Sequence, residues 1–336
     1  MSKGKEQNLF EDAVRDKDIS SITRLFRDVK QYRKSADFMK KLDFYSSFPY
    51  LGVYNAALVE QQRPGAKLVL TIEQWKKRNR KIKPFARPII ILLPFYPVEF
   101  LFDVADTKPI NKTTKDRDNE HIEYLIYRHQ AECSHDVSFY LYNLWRNLPK
   151  FGISYTKIVV GSTINSEIMN VTKEDREELT IEINKEHDIT YHNYFIIGVD
   201  VNANGADELS LIIHELGHLF CQHIRCSWWN KRFFTKEVKE FEAEIVSYLV
   251  CQRLGIQTHS IEYLACYVNE NEEIPPIDIN CVFEAVDLIE KMVKENMDVT
   301  KCVMYKKDPE FKEKVDVVKA KIKEEKDAVR AAKQSL

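Results

Sequence analysis

The chain has 336 residues, with 50 Lys+Arg against 52 Asp+Glu and a formal net charge of -2. That length accommodates two domains, and 44% hydrophobic with 30% charged residues excludes a disordered or fibrous chain. Only nine glycines argue against Gly-rich phosphate loops, and near-neutrality argues against a protein that coats nucleic acid over its whole surface.

In chain order, residues 1–45 are charged, with Ile19, Ile22, Leu25, Phe26 and Val29 at helical spacing, predicting one or two amphipathic helices. A helix is expected over 54–62, stopped by Arg63, Pro64 and Gly65, and a short one over 71–78. Residues 87–93 and 98–104 are β-type runs separated by Pro94 and Pro97, predicting a small sheet. The polar stretch 106–120 is the expected linker, which places a domain boundary at residue 110. Beyond it, the pattern predicts a helix over 123–148, strands over 156–160 and 194–199, and helices over 207–224 and 236–253. A Lys/Glu/Ala helix closes the sequence from residue 309, with Val315, Val318, Ile322 and Val329 on one stripe for packing or a partner. The expected fold is therefore α+β, divided into a small N-terminal α+β domain (1–110), a mainly helical domain (111–300) and a C-terminal helical extension (301–336).

No apolar run approaches the ~20 residues of a membrane helix, and the first thirty residues show no signal-peptide core. A cytoplasmic protein without a membrane partner is expected. Seven scattered cysteines, none in a CxxC pair, agree with reduced, mostly buried thiols. The net charge hides an asymmetry: residues 1–110 carry 21 Lys+Arg against 13 Asp+Glu, or +8, and the remainder carries -10. Opposite signs in the two parts suggest two functions.

The segment Leu211-Ile-Ile-His-Glu-Leu-Gly-His-Leu-Phe220 contains an H-E-x-x-H motif, His214, Glu215 and His218. On a helix, residues four apart lie about 40° apart around the axis and one turn apart along it, so both imidazoles can meet one ion. Glu215, about 100° from His214, is placed to deprotonate a water held there. Asn204 or Asp207 is the expected N-cap of this helix.

A zinc site needs a third protein ligand and keeps a fourth position open. Glu240 and Glu244 share one face of the next helix, whereas Glu242 points about 200° from Glu240. Glu240 is assigned as third ligand and Glu244 as the carboxylate that orients a ligand imidazole. The reverse assignment, with Glu244 on the metal, stays open. Glu242 is expected to be a solvated charge, His223 to cap or pack, and Cys221 to lie in the core.

This set predicts a Zn2+ metallopeptidase: zinc lowers the pKa of a bound water toward ~7, Glu215 takes its proton, and a polarised peptide carbonyl is attacked. The strand over 194–199 is a candidate for pairing with an extended peptide substrate. Tyr248, Tyr263 and Tyr267 are candidate oxyanion donors, each also compatible with a core position.

A second constellation lies between Trp75 and Arg87. Lys76, Lys77, Arg78, Arg80, Lys81, Lys83 and Arg87 are interrupted by no acid, with Trp75 before them and Phe85 among them. Phosphate attraction beside aromatic stacking surfaces is how single-stranded DNA is bound without sequence reading. The alternative is a solvated basic turn before a strand.

The stretch Tyr54-Asn-Ala-Ala-Leu-Val-Glu-Gln-Gln-Arg-Pro64, followed by Trp75, the basic turn, Ile89-Ile-Ile-Leu-Leu-Pro94 and Phe102-Asp-Val-Ala-Asp-Thr107, resembles the N-terminal domain of ArdC-type antirestriction proteins. His214-Glu-Leu-Gly-His218, Lys239-Glu-Phe-Glu-Ala-Glu-Ile-Val-Ser-Tyr-Leu-Val-Cys-Gln-Arg-Leu-Gly-Ile256 and Tyr263-Leu-Ala-Cys-Tyr267 are similar to their metallopeptidase domain, related to the ImmA/IrrE metalloendopeptidases. The resemblance covers residues 45–107 and 205–270. It implies a zincin fold of the gluzincin type, single-stranded DNA bound by the first domain, and a peptide or protein substrate. It departs at Pro84-Phe-Ala-Arg87, where relatives carry a Gly-Glu-Lys-type turn, and after about residue 298. It also implies two rival functions, an antirestriction protein that coats single-stranded DNA and an IrrE-like protease that cleaves a repressor.

Overall fold

The structure, a computed structural model of the chain, describes residues 35–93, 98–110, 115–133, 135–159, 166–229, 232–257, 264 and 274–334. The helices expected before residue 34, and Tyr263 and Tyr267, lie outside the described residues. In chain order the elements are α1 (Ser35–Ser46), α2 (Val53–Gln62), β1 (Val69–Leu70), α3 (Ile72–Lys77), β2 (Arg80–Ile82), β3 (Ile89–Ile91), β4 (Glu99–Asp103), β5 (Thr107–Pro109), α4 (Lys115–Cys133), α5 (Val137–Asn147), β6 (Ile153–Ile158), β7 (Ser166–Asn170), β8 (Glu178–Asn184), β9 (His187–His192), β10 (Phe195–Asp200), α6 (Gly205–Phe220), α7 (Lys236–Arg253), α8 (Ile279–Lys294), α9 (Val303–Lys307) and α10 (Pro309–Gln334). The protein is thus mixed α and β, with helix predominating. No described helix is long and apolar enough to cross a membrane.

The chain divides into two compact units, Met1–Ser134 with Tyr248–Phe283, and His135–Ser247 with Glu284–Leu336. The division thus falls after residue 134 rather than 110, because α4 inserts Leu125 into the cluster of Leu68, Leu70, Trp75, Phe102 and Val104. The later segment joins the first unit through Arg253, whose buried guanidinium donates to the carbonyls of Tyr45 (2.9 Å), Phe48 (3.1 Å) and Leu51 (2.5 Å). Tyr54 also donates to Asn280, at 2.7 Å. The helix expected over 123–148 is two helices, with Asp136 in extended conformation at the start of α5.

In the first unit, β4 is the central strand of the order β1-β4-β3, and β2 pairs with β5. Thr71 begins α3 with a reciprocal capping box, its side chain accepting from Gln74 N while the Gln74 side chain accepts from Thr71 N. This turn delivers Trp75 to the core, where its indole N–H donates to Phe102 O at 2.8 Å.

In the second unit, β10 runs parallel to β6 and antiparallel to β7, in the order β6-β10-β7, and β8 and β9 form a hairpin. Both edges of β10 are occupied, so the strand expected to receive a substrate is the middle of its sheet. Gly152, at φ +68°, leads into β6; a Cβ there would lie 2.7 Å from Met304 Sδ and 2.9 Å from the Tyr194 ring. The C-terminal helix is part of this unit rather than an extension from it. Phe311 and Val315 of α10 are buried against Ile181, Ile189 and Tyr191 of the hairpin, while Val329 is exposed.

Asp308 joins these parts. One carboxylate oxygen accepts from Glu310 N (3.1 Å) and Phe311 N (3.2 Å) at the start of α10, and the other accepts from the hydroxyls of Tyr191 (2.9 Å) and Tyr194. Burial alone would raise its pKa, but these donors hold the carboxyl below its usual value. A depressed folded pKa stabilises the protein above the unfolded value of about 4 and ceases to do so as pH falls through the folded value. Asp308→Ala should cost about 2–4 kcal/mol in chemical denaturation at pH 7. The variant should also lose part of the wild type's instability below about pH 4. An unchanged denaturation midpoint would contradict both.

Candidate metal centre

The centre lies in the second unit, on α6 and the first part of α7. Leu209, Ile212, Ile213, Leu216 and Leu219 give α6 a buried apolar stripe. Its first turn is tied to β6 by Glu208, which accepts from Tyr155 and pairs with Lys157 at 3.0 Å. Asn204 stands at the N-cap position but makes no side-chain cap. Gly217 permits the approach of α7: a Cβ there would lie 3.1 Å from Ala243 Cα and 3.2 Å from its carbonyl oxygen. Backbone has little room to yield, so glycine at this position lets the two helices meet closely enough for their polar residues to converge.

Those residues are His214, His218 and Glu240. The two imidazole Nε2 atoms are 3.2 Å apart, and Glu240 Oε2 lies 3.8 Å and 3.5 Å from them. Ligands held tetrahedrally at about 2.0–2.1 Å are separated by roughly 3.3 Å, so the three atoms already stand at the corners of such a site. Two imidazoles and a carboxylate also suit zinc chemically. Glu244 Oε2 lies 3.1 Å from His214 Nδ1, the place of an orienting carboxylate, and of the two open assignments this geometry favours Glu240 as ligand. Desolvation would lower the His214 pKa, but its hydrogen bonds to Glu240 and Glu244 overcome that and push it up to about 10. The same bonds pull Glu240 well below the usual carboxylate range. The pocket thus attracts positive charge strongly.

Glu215 is buried, and its Oε1 accepts from Ser166 Oγ at 2.7 Å. Ser166 begins β7, which runs beside α6 and, among the described residues, pairs only with β10. The strand with an open edge near Glu215 is therefore β7, not the one over 194–199. The sequence carried no signal for Ser166, since a lone serine ahead of a short strand is unremarkable until the sheet brings it to the motif.

Glu242 is not solvated. It is fully buried, accepting from His223 Nε2 at 2.9 Å and forming a bidentate pair with Arg232, whose Nη2 lies 2.9 Å from Oε1. The reason is that α7 is buried on both faces, with Phe241, Ala243, Ile245 and Val246 all inaccessible. Arg232 also donates to Cys221 O at 2.6 Å, and Cys221 is buried as expected. His223 Nδ1 lies 2.9 Å from His218 Nδ1. Burial pushes the His223 pKa down despite Glu242. Tyr248, a candidate oxyanion donor, belongs to the first unit and donates to Asp43.

The basic turn lies in the first unit, where two of its expected members fail as nucleic-acid contacts. Trp75 is fully buried and cannot stack on a base, and Arg80 is buried with Nε donating to Thr107 Oγ1 at 2.7 Å. Lys76, Lys77, Lys81, Lys83 and Arg87 are exposed, and Arg78 is half-buried with a nitrogen 3.2 Å from His129 Nδ1. The exposed aromatic is Phe85, at φ +63° and 102% relative exposure. Lys77 and Arg78 also line a cavity of about 370 Å³ with Tyr124 and Arg128.

A Bacillus anthracis protein described only as uncharacterized, pXO2-81, is 23% identical to this chain over 304 residues, covering 79% of this chain and 48% of its own length. The chain thus spans about half the length of that curated relative. No family model and no solved structure matches.

Proposed function

We propose that the chain is a zinc-dependent metalloendopeptidase of the gluzincin type, with a zincin arrangement in its second unit. The observation that carries this reading is the convergence of His214, His218 and Glu240, with Glu215 buried beside them on the same helix turn. His214, His218 and Glu240 would hold Zn2+, which when bound acidifies a water and polarises the scissile carbonyl. Glu244, at His214 Nδ1, holds the ring so that Nε2 would bind the metal once its proton is displaced. Ser166 holds one oxygen of Glu215 and leaves the other to receive the proton of the attacking water and pass it to the leaving amine. The open edge of β7 suits an extended peptide, which would add to the sheet by main-chain hydrogen bonds. Elemental analysis should find one Zn2+ per chain, and chelation should stop peptide cleavage until Zn2+ is restored. Protein purified without bound metal and unresponsive to added Zn2+ would sink the reading.

A second activity, single-stranded DNA binding, is favoured by the exposed set Lys76, Lys77, Lys81, Lys83, Arg87 and Phe85. Five exposed cations between the end of α3 and the start of β3 predict affinity for single-stranded oligonucleotides that falls steeply with salt. Phe85→Ala should weaken binding by roughly 1–3 kcal/mol, whereas altering buried Trp75 should act through stability. Absence of a gel shift at low salt with the full-length protein would remove this turn as a DNA site. Under the rival reading as a DNA-coating antirestriction protein, a zinc-loaded but catalytically dead variant would retain all biological activity.

A further inference from the structure

We propose that His223, held by Glu242 and Arg232, is a positioning residue that fixes the tautomer and orientation of His218 for the metal. The assignment rests on reading His214, His218 and Glu240 as the metal centre, and it gives His218 the counterpart of what Glu244 does for His214.

With a neutral His223 ring, the chain of contacts allows one arrangement of protons. Glu242 is an ion-pair partner of Arg232 at 2.9 Å, so its carboxylate can only accept. His223 Nε2, 2.9 Å from Glu242 Oε2, is therefore the donor. A neutral imidazole with its proton on Nε2 has a lone pair on Nδ1. That atom faces His218 Nδ1 at 2.9 Å, so His218 must supply the hydrogen. With its own proton on Nδ1, His218 is left with a lone pair on Nε2, the atom directed at His214 Nε2 and Glu240 Oε2.

The relay lies in the interior, where solvent cannot substitute for its members. The side chains of His223 and Glu242 are 1% and 0% exposed. The His223 ring is also packed edge-on against Phe234, with centroids 5.1 Å apart, which restrains its rotation. Cys221, His223 and Glu242 are themselves near enough to hold a second ion. Arg232 already supplies the cation there, since its guanidinium engages both Glu242 oxygens. The cluster is therefore a support for the first centre, not a second one.

The test uses the full-length protein with 15N-labelled histidine, read by two-bond 1H–15N correlation in metal-free and Zn2+-loaded states. Zn2+ affinity is measured in parallel by chelator competition. His218 is expected to carry its proton on Nδ1 in both states. His223→Phe, which keeps the packing against Phe234 and removes both ring nitrogens, should lower Zn2+ affinity about 10–100-fold and release the His218 tautomer. His223→Gln, with an oxygen to accept from His218 and an amide to donate to Glu242, should recover most of the affinity. A wild-type His218 protonated on Nε2, or bound to Zn2+ through Nδ1, overturns the assignment without any variant. Unchanged affinity and tautomer in a folded His223→Phe protein would do the same. The peptidase reading fails separately: Zn2+ bound with the expected tautomer but no peptide cleaved would leave the relay intact.

Discussion

Glu215→Gln should lower peptide hydrolysis by about 10³-fold while leaving the bound Zn2+ in place. Glutamine matches glutamate in shape, and its amide oxygen can still accept from Ser166 Oγ, which now lies 2.7 Å from Glu215 Oε1. What it loses is the capacity to take a proton from water and return it to the departing amine. The proposed ligand set of His214, His218 and Glu240 is untouched, so metal content should equal that of the wild type. The measurement is kcat/KM on a cleavable peptide alongside elemental analysis. A variant retaining a tenth or more of wild-type activity would remove Glu215 from the chemistry, and one that lost zinc would show that Glu215 acts through the metal site instead. The same protein serves as a substrate trap, since it should bind a peptide it cannot cut.

The second large effect is on stability. Glu242→Ala should destabilise the protein by about 3–5 kcal/mol, because the change leaves the Arg232 guanidinium and the buried His223 ring without their acceptor. Spread over a unit of this size, that corresponds to roughly 8–15 °C in the unfolding midpoint. Calorimetry at neutral pH gives the answer directly. A loss under about 1 kcal/mol would mean that the Arg232 pair behaves as an exposed one. A paired change that removes Arg232 as well should recover part of the loss, since no half-buried guanidinium is then left without its carboxylate.

The candidate metal centre was legible because its geometry is almost entirely local. His214 and His218 are four residues apart on one helix, as are Glu240 and Glu244 on another, and helical pitch alone aligns each pair. The mixed α and β character, the limits of α7 and the breaks at Gly65 and Gly255 were legible for the same reason. Glu242 was misread because the angular argument locates a residue around its own helix without saying whether that face is covered. Trp75 and Arg80 were misread similarly: a run of basic and aromatic residues looks like a surface, but the capping box at Thr71 turns Trp75 inward and the β2–β5 pairing buries Arg80 against Thr107.

By itself, then, the sequence determined the candidate chemistry, since ligand type and helical spacing are properties of a short stretch of chain. Only the tertiary structure decided which carboxylate lies against His214 Nδ1, which strand edge among the described residues lies unpaired near Glu215, and what stands behind His218. Those depend on contacts between residues far apart in the chain, where burial and hydrogen-bond saturation decide and periodicity is silent. The same holds for the two units: Tyr248–Phe283 joins the first because the buried guanidinium of Arg253 finds its acceptors there, some two hundred residues earlier.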